Sequence, residues 1–148
     1  MIKIYSDLSS NSQQAFTLEN NSKFGEKKQG KIVYSRYEAS YLIETGKAAG
    51  KIKLKANEKN NYLVFKDLRK KGYIVKTGTK FGSEFRIYKK TDKHASWLIE
   101  IKTDKDKTNY HEFISKNRIA HSTGKKLLIA IIDPEEDITY YEVGWIKT

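Results

Sequence analysis

Apolar and polar positions along the chain fall into two textures, changing near residue 72. In residues 1 to 33, MIKIY and AFTL each read as a short strand followed by a polar turn, SSNSQQ and ENNSKFGEKKQG. SRYEASYLIET, residues 35 to 45, has helical period. Ser35 caps it, Glu38 completes a capping box, Tyr37, Tyr41 and Leu42 share a face, and Gly46 ends it. KIKLK, residues 51 to 55, alternates as a strand. EKNNYLVFKDLRKK, residues 58 to 71, predicts a second helix with Tyr62, Phe65 and Leu68 as its stripe and Gly72 as its stop.

Beyond that glycine, strand candidates dominate: YIVKTGTKF, EFRIYKK, WLIEIKT and KKLLIAIID, then Ile138 to Ile146. One helix interrupts them, from about Thr108 to His121, with Tyr110, Phe113, Ile114 and Asn117 expected to face inward. DPEED separates the last two strands, and Pro134 after Asp133 favours a type I turn. The expected class is α/β (α+β). A small N-terminal α/β domain, residues 1 to 62, precedes a C-terminal mixed-sheet, nuclease-like domain flanked by helices, residues 63 to 148.

Charge changes this picture more than composition does. The 148 residues carry a net charge of +11, with pI about 9.6. A field of that sign gathers polyanions, and nucleic acid is the commonest. The chain has no cysteine, which excludes disulfides and thiolate metal sites. It shows neither a signal-peptide stretch nor an apolar run of membrane-spanning length, so the expectation is a soluble, cytoplasmic protein without membrane partners. Residues 127 to 146 hold five acids and no base. An acidic hairpin on a basic protein is repelled by RNA and attracted to a basic groove on another subunit.

Candidate chemistry is sparse enough to weigh singly. Of three histidines, His111 and His121 fall on the predicted helix, whereas His94 sits in a polar loop before WLIEI. Tyr88 ends the strand EFRIY, beside Arg86, Lys89 and Lys90. Lys125 and Lys126 open the strand LLIAIID; alternation lets only one of them share a face with a given ligand. Arg118 lies near the helix end, where a guanidinium can stack on an extruded base or bind phosphate. A phenol, an imidazole and an ammonium together suit RNA cleavage through the adjacent 2′-hydroxyl. One group removes its proton, another protonates the 5′-oxygen, and a cation steadies the phosphorane. That reaction uses neither metal nor cofactor and leaves a 2′,3′-cyclic phosphate and a 5′-hydroxyl.

GYIVKTGTKFGSEFRIY, HASWLIEI, RIAHSTGKKLLIAIID and ITYYEV resemble the archaeal tRNA splicing endonucleases, or tRNA-intron lyases, across residues 63 to 148. YEASYLIETGK extends the resemblance more loosely to the N-terminal part. It implies a catalytic subunit that excises introns from precursor tRNA at bulge–helix–bulge or related motifs. It makes Tyr88 the general base, His94 the general acid and Lys125 the transition-state cation. Arg118, with Arg86 and Lys126, would bind RNA, Arg118 by clamping a bulged base. The acidic turn with Asp133, Glu135, Glu136 and Asp137 would dock into a neighbouring subunit of a homotetramer or of a heterotetramer with a structural subunit. The chain departs from the family in having Ala95 between His94 and Ser96 and Gly124 where an arginine is common before the lysine.

Two alternatives remain from the residues themselves. Glu100-x-Lys102 on a strand, with Glu84 or Asp92, is a spacing used by metal-dependent restriction-like nucleases. A basic α/β chain also suits a non-catalytic RNA-binding or structural subunit.

Overall fold

The computed structural model describes residues 1–148 as two compact units, Met1–Lys59 and Asn60–Thr148. The first holds β1 (Ile2–Lys3), β2 (Ser9–Ser10), α1 (Gln13–Ser22), β3 (Glu26–Lys28), β4 (Lys31–Val33), α2 (Arg36–Glu44) and β5 (Ala48–Ala49). β2, β4 and β3 form a small antiparallel sheet, while β1 pairs in parallel with β5.

Helix α2 begins as the sequence dictates. Ser35 Oγ accepts from Glu38 N at 3.1 Å, and Glu38 returns a carboxylate oxygen to Ser35 N at 3.0 Å. The second Glu38 oxygen accepts from Gly25 N at 2.7 Å, which explains a buried carboxylate on an amphipathic helix. Two expectations fail here. AFTL is not a strand but part of α1, because Ser12 Oγ caps the segment by accepting from Ala15 N at 3.2 Å and buries Ala15. Nor is KIKLK a strand. Its alternation is real, with Ile52 and Leu54 half-buried between exposed lysines, but no strand pairs with it. Instead Arg36 donates to Lys53 O at 2.7 Å and to Glu58 at 2.9 and 3.2 Å.

The second unit holds α3 (Lys59–Lys70, starting one residue upstream), β6 (Ile74–Thr77), β7 (Phe85–Tyr88), β8 (Trp97–Thr103), α4 (Tyr110–Ser122), β9 (Lys126–Ile132) and β10 (Ile138–Val143). Its five-stranded mixed sheet runs β10-β9-β8-β7-β6, with β8 and β9 parallel and the other pairs antiparallel. Parallel neighbours need a crossover, and α4 supplies it. One sheet face packs on α3, where Phe65 meets Phe85 with centroids 5.9 Å apart. On the other, Leu98 and Leu127 pack with Ala120 of α4.

YIVKTGTKF stops being a strand at Thr77 and closes into a single 3₁₀ turn, Thr79–Phe81. α4 forms as expected, capped by Asn109, but its inward face is shifted: Asn117 and Ala120 are buried whereas Tyr110 is 85% and Ile114 46% exposed. Tyr110 is the first residue of the helix, and the row that meets β9 passes through Asn117 and Ala120, leaving Ile114 outside it.

A clamp joins α3 to β10. Tyr140 donates to Asp67 at 2.6 Å, and Lys71 holds the same carboxylate oxygen at 2.8 Å. Burial raises the Tyr140 phenol, and the Asp67 carboxylate raises it further. Burial alone would raise Asp67, but the bonds from Lys71 and Tyr140 outweigh it and leave the carboxyl below its ordinary value. A phenol raised by folding contributes stability below its unfolded pKa and loses it as pH rises toward the folded value. A depressed carboxyl contributes above its unfolded pKa and loses it as pH falls through the folded one. Tyr140→Phe is therefore expected to cost about 1.5 kcal/mol at neutral pH, the scale of a hydrogen bond to a charged group. The deficit should shrink in acid as Asp67 protonates, measured by urea unfolding from pH 3 to 8.

Candidate active site

Backbone register fixes what meets at one end of the large sheet. Ile87 pairs with Trp97, and Trp97 with Lys126, so the end of β7, the start of β8 and the start of β9 lie side by side. The connection from 89 to 96 turns at Lys89–Asp92 and re-enters through Ser96. Ser96 N donates to Ile87 O at 2.9 Å, and Ser96 O accepts from Lys126 N at 3.0 Å. The backbone of this one residue bonds the end of the His94 loop to both neighbouring strands. Ala95 is buried beneath the loop and His94 is exposed on it. The extra residue after the histidine thus acts as an anchor.

Alternation then sorts the side chains. Arg86 lies opposite Leu98, placing Arg86 and Tyr88 on the face that carries Leu98 and Leu127, under α4. The Arg86 guanidinium lies 5.8 Å from the Tyr88 ring centroid, and its Nε is buried without a partner. Lys125, two residues before Leu127, is on the same side. Its Nζ donates to Thr123 O at 3.0 Å and lies 4.7 Å from the centroid of Phe81, which packs against the Leu98–Leu127–Ala120 cluster. Lys126 is on the other face, where Glu142 takes it at 3.4 Å and also accepts from Trp97 Nε1 at 2.7 Å. That indole bond first, then Lys126, holds the Glu142 carboxyl below its ordinary value.

The approach to Lys125 is a helix C-terminus. Thr123 N bonds back to Ile119 and Ala120 carbonyls, and Lys125 N to Ala120 O at 2.8 Å. Gly124, between them, has φ +72°, a left-handed conformation that glycine adopts without steric cost.

Arg118 is exposed on α4 and lines a cavity of ≈ 320 Å³ with Phe113, Ile114, Asn117, Val143 and Trp145; no bond or ring contact joins it to Tyr88, His94 or Lys125. His111 and His121 are exposed, and His121 sits 4.2 Å from the Trp145 ring. The acidic turn lies at the far end of β9. Asp133 Oδ1 accepts from Glu135 N and Asp137 N at 3.0 Å each, and Glu136 N bonds Asp133 O at 2.9 Å. These bonds close the turn, and its Glu135, Glu136 and Asp137 side chains are exposed. Glu100 and Lys102 do meet, at 3.2 Å, but Lys116 of α4 holds the second Glu100 oxygen at 2.8 Å. The carboxylate is committed to pinning α4 on the sheet. No trio of histidine or carboxylate side chains is placed to hold an ion.

Sequence reasoning overlooks Phe81 and the Ser96 backbone bonds. Phe81 falls within the expected strand YIVKTGTKF, though the glycines at 78 and 82 that bracket TKF signal a turn; the Ser96 bonds leave no side-chain signature.

A mixed sheet backed by helices, with cations, a phenol and a histidine loop at one end, is an α+β architecture consistent with a nuclease domain. The chain belongs to the tRNA intron endonuclease family. Its residues 59–140 match the catalytic C-terminal domain of that family. It is 38% identical to the tRNA-splicing endonuclease of Thermococcus gammatolerans over 88% of this chain and 87% of that one. Identity is 37% to those of Pyrococcus abyssi, over 88% and 85%, and Methanothermobacter thermautotrophicus, over 88% and 86%. The chain is an endonuclease of archaeal type.

Proposed function

We propose that this endonuclease excises introns from precursor tRNA by metal-free transesterification at the β7–β8–β9 end of the sheet. Tyr88 takes the 2′-hydroxyl proton, and the oxygen attacks the adjacent phosphorus. His94 gives a proton to the departing 5′-oxygen. Lys125 neutralises the crowded phosphorane between the two steps. Atoms balance without water: the 2′-O–P bond forms, the P–5′-O bond breaks, and a 2′,3′-cyclic phosphate and 5′-hydroxyl result. The observation that carries this reading is the pair of Ser96 backbone bonds, which tie the end of the histidine loop to the tyrosine and lysine strands at once.

Arg86, whose guanidinium lies beside the Tyr88 ring on the same face, is proposed to meet a phosphate there. Arg118, exposed at an apolar cavity, is proposed to hold a bulged base. Lys126 faces the other way, so any RNA it touches lies on the opposite face of the sheet from Lys125. Incubation with a precursor tRNA carrying an intron should release the intron by two cuts and leave the mature tRNA intact. Cutting of both RNAs alike would contradict an intron-specific role.

Two cuts need two sites, which favours an assembly of several subunits. The exposed acidic turn, Asp133–Asp137, is suited to dock in a basic groove of a neighbouring subunit. Replacing Glu135, Glu136 and Asp137 by their amides should lower the assembly state in sedimentation; an unchanged state would remove the turn from the interface. Such a protein works wherever tRNA precursors accumulate, so we place it in the cytoplasm; no helix is long and apolar enough to cross a membrane.

A further inference from the structure

We infer that Phe81 is a positioning residue for the reaction: its ring is the platform that holds the Lys125 ammonium in line with the sheet end. The inference rests on Lys125 being the transition-state cation, as proposed above.

A lysine is a poor device for holding a charge at one point. Its stem has four rotatable bonds, and freezing them costs entropy at the moment of reaction. Here the ammonium is ordered beforehand. One of its three protons goes to Thr123 O at 3.0 Å, and the Phe81 ring lies 4.7 Å from Nζ, within cation–π reach. Two protons remain for phosphate oxygens. A carboxylate in the place of the ring would neutralise the charge that the phosphorane needs. An aromatic face holds it without cancelling it, and Lys125 has no acidic partner.

The platform is itself fixed. Phe81 ends the 3₁₀ turn, its N–H bonded to Gly78 O at 2.9 Å. Ser83 N also bonds Gly78 O, at 3.1 Å, and Gly78 N bonds Glu84 O at 3.1 Å. Ser83 Oγ then rivets the turn to β8, accepting from Ile99 N at 3.0 Å and donating to Ile99 O at 2.6 Å. A Cβ on Gly78 would lie 2.9 Å from the Phe85 carbonyl carbon, so only glycine lets the turn close this tightly. The ring's flank packs on Leu98, Ala120 and Leu127, from β8, α4 and β9. Phe81 is thus held by the same strands that carry the site, and any change in it reaches the chemistry through Lys125.

The test is single-turnover cleavage of precursor tRNA by Phe81→Leu, Phe81→Tyr, Lys125→Ala and the Phe81→Leu/Lys125→Ala double variant, with RNA binding measured alongside. Phe81→Leu should cleave roughly tenfold more slowly, within the range of a partly desolvated cation–π contact, at unchanged binding. Phe81→Tyr should restore most of the rate. The double variant should be no slower than Lys125→Ala alone. Phe81→Leu also alters packing on the Leu98–Ala120–Leu127 cluster, so a second series replaces Phe81 with increasingly fluorinated phenylalanines, which keep the shape and weaken the ring's negative face. Rates should fall stepwise with fluorination. Equal rates across that series, or additive losses in the double variant, would overturn the platform while leaving Lys125 in its role. A Lys125→Ala enzyme as fast as wild type would overturn the reading of Lys125 itself and the inference with it.

Discussion

His94→Ala is expected to slow cleavage by about 10²- to 10⁴-fold, the usual contribution of a positioned proton donor. The size of the loss does not say which proton is moved, but the leaving group does. An RNA with sulfur in place of the bridging 5′-oxygen at the cut departs as a thiolate, which needs no acid. If His94 protonates the leaving oxygen, His94→Ala should cut that substrate almost as fast as wild type does. Tyr88→Phe, lacking the base, should stay slow on both. The reverse pattern would exchange the two roles. Burial supports a structural rationale for the loop: Ala95 is buried while His94 is exposed, so truncating the imidazole removes a solvent-facing group and leaves the anchor and the Ser96 bonds in place. A drop in thermal stability matching the drop in rate would argue instead that the loop had come loose.

Phe65→Ala is expected to destabilise the second unit by about 3–5 kcal/mol, the range for truncating a buried aromatic side chain. Phe65 is 1% exposed, on α3, and its ring tilts against Phe85, which is also 1% exposed. The cavity would open under β7, three residues from Tyr88. Loss on that scale is a large share of the roughly 5–15 kcal/mol that holds a domain together. Urea unfolding followed by far-ultraviolet circular dichroism should show a clear fall in midpoint, and cleavage should fail at temperatures the wild type tolerates. A shift below about 1 kcal/mol would mean that α3 closes over the gap, contrary to the close packing of buried side chains.

How much of this was legible beforehand depended on the element. α2 was readable because capping residues, period and a stopping glycine agree, with Ser35, Glu38 and Gly46 each doing locally what their chemistry favours, and α3 because its apolar stripe runs up to Gly72. β8 and β9 were readable because their apolar runs are long and bounded by charge, and β7 because Phe85 and Ile87 alternate with Arg86 and Tyr88. AFTL misled because four apolar or small residues fit either period, and only the Ser12 cap settles the matter. KIKLK misled because alternation reports one buried face, not a pairing partner. α4 was placed within two residues at its start, yet its inward face was misassigned, since Tyr110 and Ile114 are left exposed. Tyr88, His94 and Lys125 could be singled out by chemical type and by the family resemblance. What the sequence cannot express is register: that Ser96 bonds Ile87 and Lys126 together, and that one-residue alternation sends Lys125 toward Phe81 and Lys126 toward Glu142.

The most direct measurement is cleavage of an intron-containing precursor tRNA in excess EDTA, with both new ends mapped. Metal-free transesterification predicts undiminished cutting, with 2′,3′-cyclic phosphate and 5′-hydroxyl ends. Cleavage that appears only when Mg²⁺ is restored, leaving 3′-hydroxyl and 5′-phosphate ends, would contradict it and shift attention to Glu100 and Lys102.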